Sequence, residues 1–238
     1  MSTLPLEQPD SVEVRPIANP LHTLALLAIL ATLAIRGIFN ANQMRANGSS
    51  NVPLYLRTIV TEWFLFALVL VGVRLAGTPL ATVLGPRWRS AGDMLRKVGI
   101  GVGFIVVQQF VLSGIIHFLP NSGADHAVQF LLPRGPLEMM LWVVLSVSAG
   151  ICEETIYRGY LQRQFAAFTR SVPIAILLSA AVFGIGHSYQ GLWRAVVIGM
   201  DGATLGVLAQ WYGSVRPGMV GHAFKDAVAP LLMGGMRH

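Results

Sequence analysis

The 238-residue chain is strongly apolar, because 54% of its residues are of the types Ala, Val, Ile, Leu, Met, Phe, Trp, Tyr and Cys and only 12% are charged. A typical soluble domain has about 25% charged residues, so this chain has too few charges to cover the surface of a soluble fold. Its one cysteine, Cys152, excludes an internal disulfide scaffold, and the net charge of +6 indicates basic loops beside anionic lipid and no nucleic-acid partner.

The first 136 residues contain a polar tail and three apolar runs. Residues 1–20 carry Pro, Ser and three acids, which is the wrong charge for a secretory signal, so we expect a polar N-terminal tail followed by a retained anchor. A membrane-spanning helix needs about 20 residues. Three runs have about this length: Leu21–Phe39, Leu54–Leu75 and Val98–Leu119. Residues 21–136 are therefore predicted to form N-terminal transmembrane helices.

Polar segments separate these runs. A loop is predicted over Asn40–Asn51, and a long basic connection over residues 74–97. Turn-forming residues at the start of Pro120–Pro136 place that stretch outside the hydrocarbon. Within the third run, three small residues are predicted to let another helix approach closely. They are Gly99, Gly101 and Gly103.

The second half contains four more apolar runs. Leu137–Gly150 is followed by charged residues without a turn former, so its helix is predicted to continue through Arg158. The other three runs are Val172–His187, Leu192–Trp211 and Met219–Met233. The predicted fold class is all-α, a polytopic transmembrane helical bundle of about seven to eight helices.

Several ionisable residues fall inside or beside these spans. A charged side chain at the centre of a transmembrane helix costs about 2.5–3.5 kcal/mol on insertion scales, so such groups must face one another, water or a metal. In the second half they are Glu153, Glu154, Arg158, His187, Asp201, His222, Lys225 and Asp226. Glu62 lies in an earlier span, and the sequence assigns no role to Glu62 or Asp201.

The first cluster is a pair of adjacent glutamates. On a helix, Glu154 and Arg158 are i and i+4 and are close enough to pair, whereas Glu153 lies about 100° round the helix and is left out. A free carboxylate in an apolar pocket is suited to act as a general base. A juxtamembrane ion-pair cluster that caps a helix is an equally good interpretation of this segment alone.

Two other segments carry histidines. His187 follows a glycine-containing apolar run, and alone it is more typical of an interfacial or hydrogen-bonded residue than of a ligand. His222 and Asp226 are i and i+4 on the last predicted helix, so imidazole and carboxylate lie on one face. This spacing also fits a simple local hydrogen bond.

A single polar site would satisfy the polar groups of all three segments. Its members would be Glu153, His187, His222 and Asp226. Carboxylates and imidazoles are suitable ligands for a divalent metal such as Zn²⁺, and a water activated by a metal or a carboxylate is a nucleophile for hydrolysis. These four residues are therefore both candidate catalytic residues and candidate metal ligands.

The ordered set of motifs resembles that of the CPBP family of intramembrane proteases, which includes the CAAX prenyl endopeptidases of the Rce1 type and bacterial relatives. The matching residues are Glu153-Glu154-x-x-x-Arg158, Phe183-x-x-x-His187 and His222-x-x-x-Asp226. The resemblance implies a catalytic helical core over residues 137–235.

The resemblance also implies a role for each residue. Glu153 would be the base that activates water, and His187 would help to hold that water or a metal. His222 would stabilise the oxyanion or bind a metal, and Glu154 and Arg158 would form a structural pair that supports the site. The family's last motif usually ends in Asn, so Asp226 is a departure, since an ionised Asp cannot donate a hydrogen bond to an oxyanion.

Three functional hypotheses follow. The first is an intramembrane endopeptidase that cleaves a peptide or protein substrate near the membrane surface, with lipid modification of the substrate as one variant. The second is a non-catalytic membrane scaffold or binding protein, and the third is a proton- or ion-coupled transporter, against which no paired internal repeat is found. In every case we expect an integral multi-pass protein in contact with membrane lipids, located in the bacterial inner membrane.

Overall fold

The computed structural model describes residues 15–46, 50–117 and 129–234. All regular secondary structure in these ranges is helical, which confirms the predicted all-α class. Parts of five predicted segments lie outside the described residues, namely 1–14 of the polar tail, 47–49 of the first loop, 118–119 of the third apolar run, 120–128 of the stretch that follows it, and 235 of the predicted catalytic core.

Nine α-helices occur in the described ranges. They are α1 (Pro20–Ala46), α2 (Val52–Leu75), α3 (Leu80–Leu84), α4 (Ala91–His117), α5 (Pro136–Glu153), α6 (Gln162–Thr169), α7 (Val172–Gly186), α8 (Leu192–Tyr212) and α9 (Arg216–Gly234). A π-helix, Glu154–Leu161, joins α5 to α6, and short 3-10 turns cover Gln129–Leu131 and Ser188–Gln190.

Each of the seven predicted spans corresponds to a helix. Five helical segments in the described ranges are long and apolar enough to cross a membrane: Pro20–Ala41, Val52–Leu75, Ala91–Gly114, Pro136–Thr169 and Leu192–Tyr212. α7 is also apolar but has only 15 residues. Large apolar side chains such as Phe110 and Trp211 point outwards, as a lipid-facing surface requires. The chain is therefore an integral, multi-pass membrane protein.

Two predicted boundaries were wrong because a helix extends beyond its apolar run. α1 continues to Ala46, through residues that were predicted as a loop. α4 begins at Ala91, where the hydroxyl of Ser90 accepts a hydrogen bond from the backbone N–H of Asp93 at 3.1 Å. Lys97, predicted in the basic connection, lies on α4 and pairs with Asp93 at 2.7 Å. Capping and ion pairing at the helix end account for the earlier start of α4, because hydropathy does not record these interactions.

Small residues bring α9 close to α4 and α5. A Cβ atom added to Gly221 would lie 2.5 Å from the carbonyl oxygen of Gly101, and one added to Gly150 would lie 2.6 Å from that of Met219. Such contacts allow close helix packing in a membrane. Of the three glycines predicted to do this in α4, Gly101 does so, whereas a Cβ atom added to Gly99 or Gly103 would meet no other described segment within 4 Å. This packing places α9 against the carboxyl-terminal half of α5.

The start of α1 is held against α6 by one buried side chain. Gln164 accepts a hydrogen bond from the backbone N–H of Ile17 at 2.7 Å and donates to the carbonyl of Ala18 at 3.1 Å and to the hydroxyl of Thr23 at 2.7 Å. Ile17 and Ala18, at the end of the predicted polar tail, are buried. The first helix is thereby fixed to the helical segment that follows the two glutamates.

Candidate active site

A buried ion pair lies at the start of the π-helix. Nη1 of Arg158 donates to Oε1 of Glu154 at 2.9 Å, and both side chains are inaccessible to solvent. Nε of Arg158 donates to the carbonyl of Gly202 at 3.3 Å, and its guanidinium lies 4.4 Å from the ring centroid of Phe183. The predicted pair is present, but on a π-helix, a form that occurs mostly as single turns and often at functional sites.

Glu153, the last residue of α5, stays outside that ion pair. Its Oε1 lies 4.0 Å from Nε2 of His187, and its Oε2 lies 3.7 Å from Nε2 of His222. These distances are too long for direct hydrogen bonds. The carboxylate therefore faces two imidazoles across a narrow gap.

His187 directly follows α7 and is oriented by that helix. Its Nδ1 lies 2.9 Å from the carbonyl oxygen of Phe183. Because a carbonyl only accepts hydrogen bonds, Nδ1 carries the hydrogen and Nε2 is directed towards Glu153. The ring also stacks on Tyr189 with centroids 6.2 Å apart, and burial raises the pKa of Tyr189 to about 12, so this neighbour is neutral at physiological pH.

His222 lies on α9 and is surrounded by carboxylates. Its Nδ1 is 3.0 Å from Oε1 of Glu154, and its Nε2 is 3.3 Å from Oδ2 of Asp226. Only 3% of the side chain is exposed. Glu154 therefore contacts both Arg158 and His222, so it fixes the orientation of the imidazole as well as compensating the guanidinium.

Asp226 lies at the open side of the cluster. Its side chain is 32% exposed, compared with 16% for Glu153 and 3% for His222. The contact between His222 and Asp226 is the one that their i, i+4 spacing predicted. The structure thus brings together all four residues that the sequence singled out, with solvent access from the Asp226 side.

The four residues of the cluster are candidate ligands for a metal ion. The donor types are suitable for zinc. Among the described residues, no three His, Cys, Asp or Glu side chains are placed to hold a metal ion together.

Two features of this region were not predicted. Glu62, on α2, is buried near Glu153 and His222, and its Oε2 has no hydrogen-bond partner among the described residues. Asp201, on α8, forms an ion pair with Lys225. A charge inside an apolar span was a signal for both acids, but the sequence did not indicate which partners they face.

Part of the chain matches a known protein family. Residues 135–228 match the family of type II CAAX prenyl endopeptidase Rce1-like proteins. These residues form an Rce1-like domain. The domain starts one residue before α5 and ends within α9, so it contains the ion pair, the two histidines and both flanking carboxylates. No curated protein and no solved structure gives a significant match to the chain.

The domain confirms the resemblance that the three motifs suggested. The match therefore supports a CAAX-protease-type domain of the Rce1-like kind within a multi-pass membrane protein. α1 to α4 precede the Rce1-like domain, and of these α2 contributes Glu62 to its surroundings.

Proposed function

We propose that this protein is an intramembrane endopeptidase that hydrolyses a peptide bond near the membrane surface by means of a water molecule activated by Glu153. The observation that carries the proposal is the position of the Glu153 carboxylate, 4.0 Å and 3.7 Å from the Nε2 atoms of His187 and His222. Three helical segments converge there inside a protease domain. A water held between these groups has a base on one side and the substrate carbonyl on the other.

The proposed reaction has two steps. In the first, Glu153 takes a proton from the water as the water oxygen bonds to the carbonyl carbon, and the carbonyl oxygen becomes an oxyanion. In the second, the oxyanion collapses, the C–N bond breaks, and the proton passes from Glu153 to the leaving nitrogen. One product carries a new carboxyl group and the other a new amine, and Glu153 returns to its ionised form.

The histidines have different tasks in this scheme. His187 accepts a hydrogen bond from the water at Nε2, because its Nδ1–H is engaged with the carbonyl of Phe183. His222 is held by Glu154 at Nδ1, and its Nε2 lies between Glu153 and Asp226, so a proton on Nε2 is shared with Asp226 before it is donated to the oxyanion. Asp226 orients His222 from the open side of the site.

The predicted divalent metal remains a prediction. Elemental analysis of purified protein tests it directly: one zinc per chain that is lost in both Glu153→Gln and His187→Ala would support it, and full activity of metal-free protein would contradict it. The predicted bacterial inner membrane and a lipid-modified substrate also remain predictions. They are tested by fractionating cells that express the protein and by comparing prenylated with unmodified peptides.

The decisive experiment measures peptide cleavage by protein reconstituted in liposomes. A peptide library that includes prenylated and unmodified C-terminal sequences serves as substrate, with mass spectrometry of the products. We expect Glu153→Gln and His187→Ala each to lower kcat about 10²–10⁴-fold, the usual contribution of a general base. Asp93→Asn on α4 is the matched control, and we expect it to retain activity.

Thermal unfolding distinguishes a catalytic role of Glu153 from a purely structural role in a non-catalytic scaffold. A catalytic role predicts that Glu153→Gln keeps a near-normal Tm while cleavage is lost. Full activity in both site variants, or proton flux into the liposomes that depends on substrate transport, would contradict the proposal.

A further inference from the structure

Lys225 lies beside Asp226, on the side of the carboxylate oxygen that does not contact His222. Nζ of Lys225 lies 2.5 Å from Oδ2 of Asp201 and 3.8 Å from Oδ1 of Asp226. The Lys225 side chain is 21% exposed, and that of Asp201 is 6% exposed. The ammonium group therefore bridges a buried carboxylate on α8 and the carboxylate at the open side of the site.

Asp201 is a fixed anchor for this lysine. Its Oδ1 accepts a hydrogen bond from Nε2 of Gln109 at 3.4 Å, and its carbonyl oxygen accepts one from Nε2 of Gln108 at 3.2 Å. Both glutamines lie on α4, so Asp201 is held between α4 and α9. A carboxylate with one oxygen bound to an amide and the other to an ammonium cannot turn freely, and the position of Lys225 is set accordingly.

The two oxygens of Asp226 are shared between two partners. Oδ2 contacts Nε2 of His222 at 3.3 Å, whereas Oδ1 is the oxygen that faces Lys225. A lysine on one oxygen therefore orients the other oxygen towards the imidazole. The lysine also offsets a negative charge that would otherwise oppose the oxyanion formed next to it.

We propose that Lys225, anchored by Asp201, is a positioning residue for the proteolytic reaction that holds the Asp226 carboxylate on His222 and compensates its charge. The inference rests on the proposed function for its consequence on rate. Lys225 acts through Asp226 and His222 and does not touch the substrate. Asp201 is the group that keeps Lys225 in place.

A double-mutant cycle tests this coupling. We expect Lys225→Met to lower kcat at least about tenfold with little change in KM, since one tenfold step corresponds to about 1.4 kcal/mol of transition-state stabilisation. Asp226→Asn is neutral and isosteric, so it removes the negative charge that Lys225 compensates. Loss of the lysine should then matter less. We therefore expect Lys225→Met/Asp226→Asn to be several-fold more active than Lys225→Met alone.

The cycle has a matched control and a second route. Lys97→Met removes the lysine of a similar i, i+4 pair on α4, with Asp93, and should leave kcat unchanged. If Lys225→Met does not fold, Asp201→Asn loosens the same lysine and should lower kcat in the same direction. Independent effects, in which the double variant loses the product of the two single losses, would overturn the proposal.

A measurement without substrate separates this inference from the proposed function. In protein labelled with ¹⁵N-histidine, we expect Lys225→Met to shift the ring signals of His222 relative to the wild type. In Lys225→Met/Asp226→Asn, we expect these signals to stay where they are in Asp226→Asn alone. If the wild-type protein cleaves no peptide but the signals respond in this way, the proposed function fails and the positioning contact stands. Unmoved signals in Lys225→Met would overturn the positioning role even in an active enzyme.

Discussion

His222 and Glu154 are 68 residues apart in the chain, and Nδ1 of the imidazole lies 3.0 Å from Oε1 of the carboxylate. The same oxygen accepts a hydrogen bond from Arg158 at 2.9 Å. This shared oxygen joins the π-helix to α9, so the group that compensates the buried guanidinium also orients the imidazole. Glu154 therefore stabilises the fold through both contacts, whereas its neighbour Glu153 stays outside the ion pair.

The two adjacent glutamates should respond differently to the same substitution. Glu154→Gln leaves the guanidinium of Arg158 buried without its counter-charge, and breaking a buried pair in this way costs about 3–5 kcal/mol. Glu153→Gln removes a carboxylate that has no direct hydrogen bond, so we expect a near-normal Tm and loss of cleavage. Thermal unfolding and peptide cleavage, measured on both variants in the same detergent, check this contrast. Equal Tm values for the two variants would contradict the assigned difference.

Replacing Glu62 with an apolar residue should stabilise the protein. Within the part of the chain that the structure describes, the buried Oε2 of Glu62 has no hydrogen-bond partner, and such a group costs about 1–3 kcal/mol. We expect Glu62→Leu to raise the Tm, because the substitution removes that group from the apolar surroundings of α2. The measurement is thermal unfolding in detergent, followed by the cleavage assay.

Glu138 provides the matched control for Glu62. It is buried to a similar extent, but Oε1 accepts hydrogen bonds from the hydroxyl of Ser50 at 2.7 Å and the backbone N–H of Asn51 at 2.8 Å, and Oε2 accepts one from the backbone N–H of Arg134 at 2.9 Å. Glu138→Leu should therefore lower the Tm. A fall in Tm for Glu62→Leu as well would mean that Glu62 has a stabilising partner.

The apolar runs predicted where the helices lie, because burial in lipid requires about 20 apolar residues in a row and satisfies the backbone internally. They did not predict where α1 ends or α4 begins, since Ala46 and Ala91 lie outside the apolar runs. The π-helix was also missed. π-Helices are rare, and the charge and hydropathy pattern of Glu154–Leu161 does not distinguish this form from an α-helix.

The residues of the site were predictable because charges inside a membrane must have partners. That argument singled out Glu153, His187, His222 and Asp226, which the structure brings together. The contact between Glu154 and His222 was not predictable, because it depends on the register of α9 against α5. The same holds for Glu62, whose orientation is set by the packing of α2.

Gln164 should control the order of the segment that precedes α1. In Gln164→Leu the backbone N–H of Ile17 loses its acceptor, and the hydroxyl of Thr23 loses a donor. We expect a loss of about 1–3 kcal/mol of stability and faster hydrogen exchange of the Ile17 amide. Exchange measured by mass spectrometry should change in the peptide containing Ile17 and remain the same in α8. Unchanged exchange at Ile17 would show that other contacts hold this segment.

Gly101 and Gly103 lie on the same helix and should respond oppositely to alanine. A methyl group at Gly101 meets the backbone carbonyl of Pro217, which cannot move without shifting α9, whereas one at Gly103 meets no atom of another described segment within 4 Å. We expect Gly101→Ala to destabilise the protein by about 1–3 kcal/mol and to lower cleavage, because α9 carries His222. Gly103→Ala should be neutral or stabilising by up to about 1 kcal/mol, since alanine is the better helix former. Thermal unfolding of the two variants decides the matter, and a similar loss in both would mean that helix contact at Gly101 does not set the position of α9.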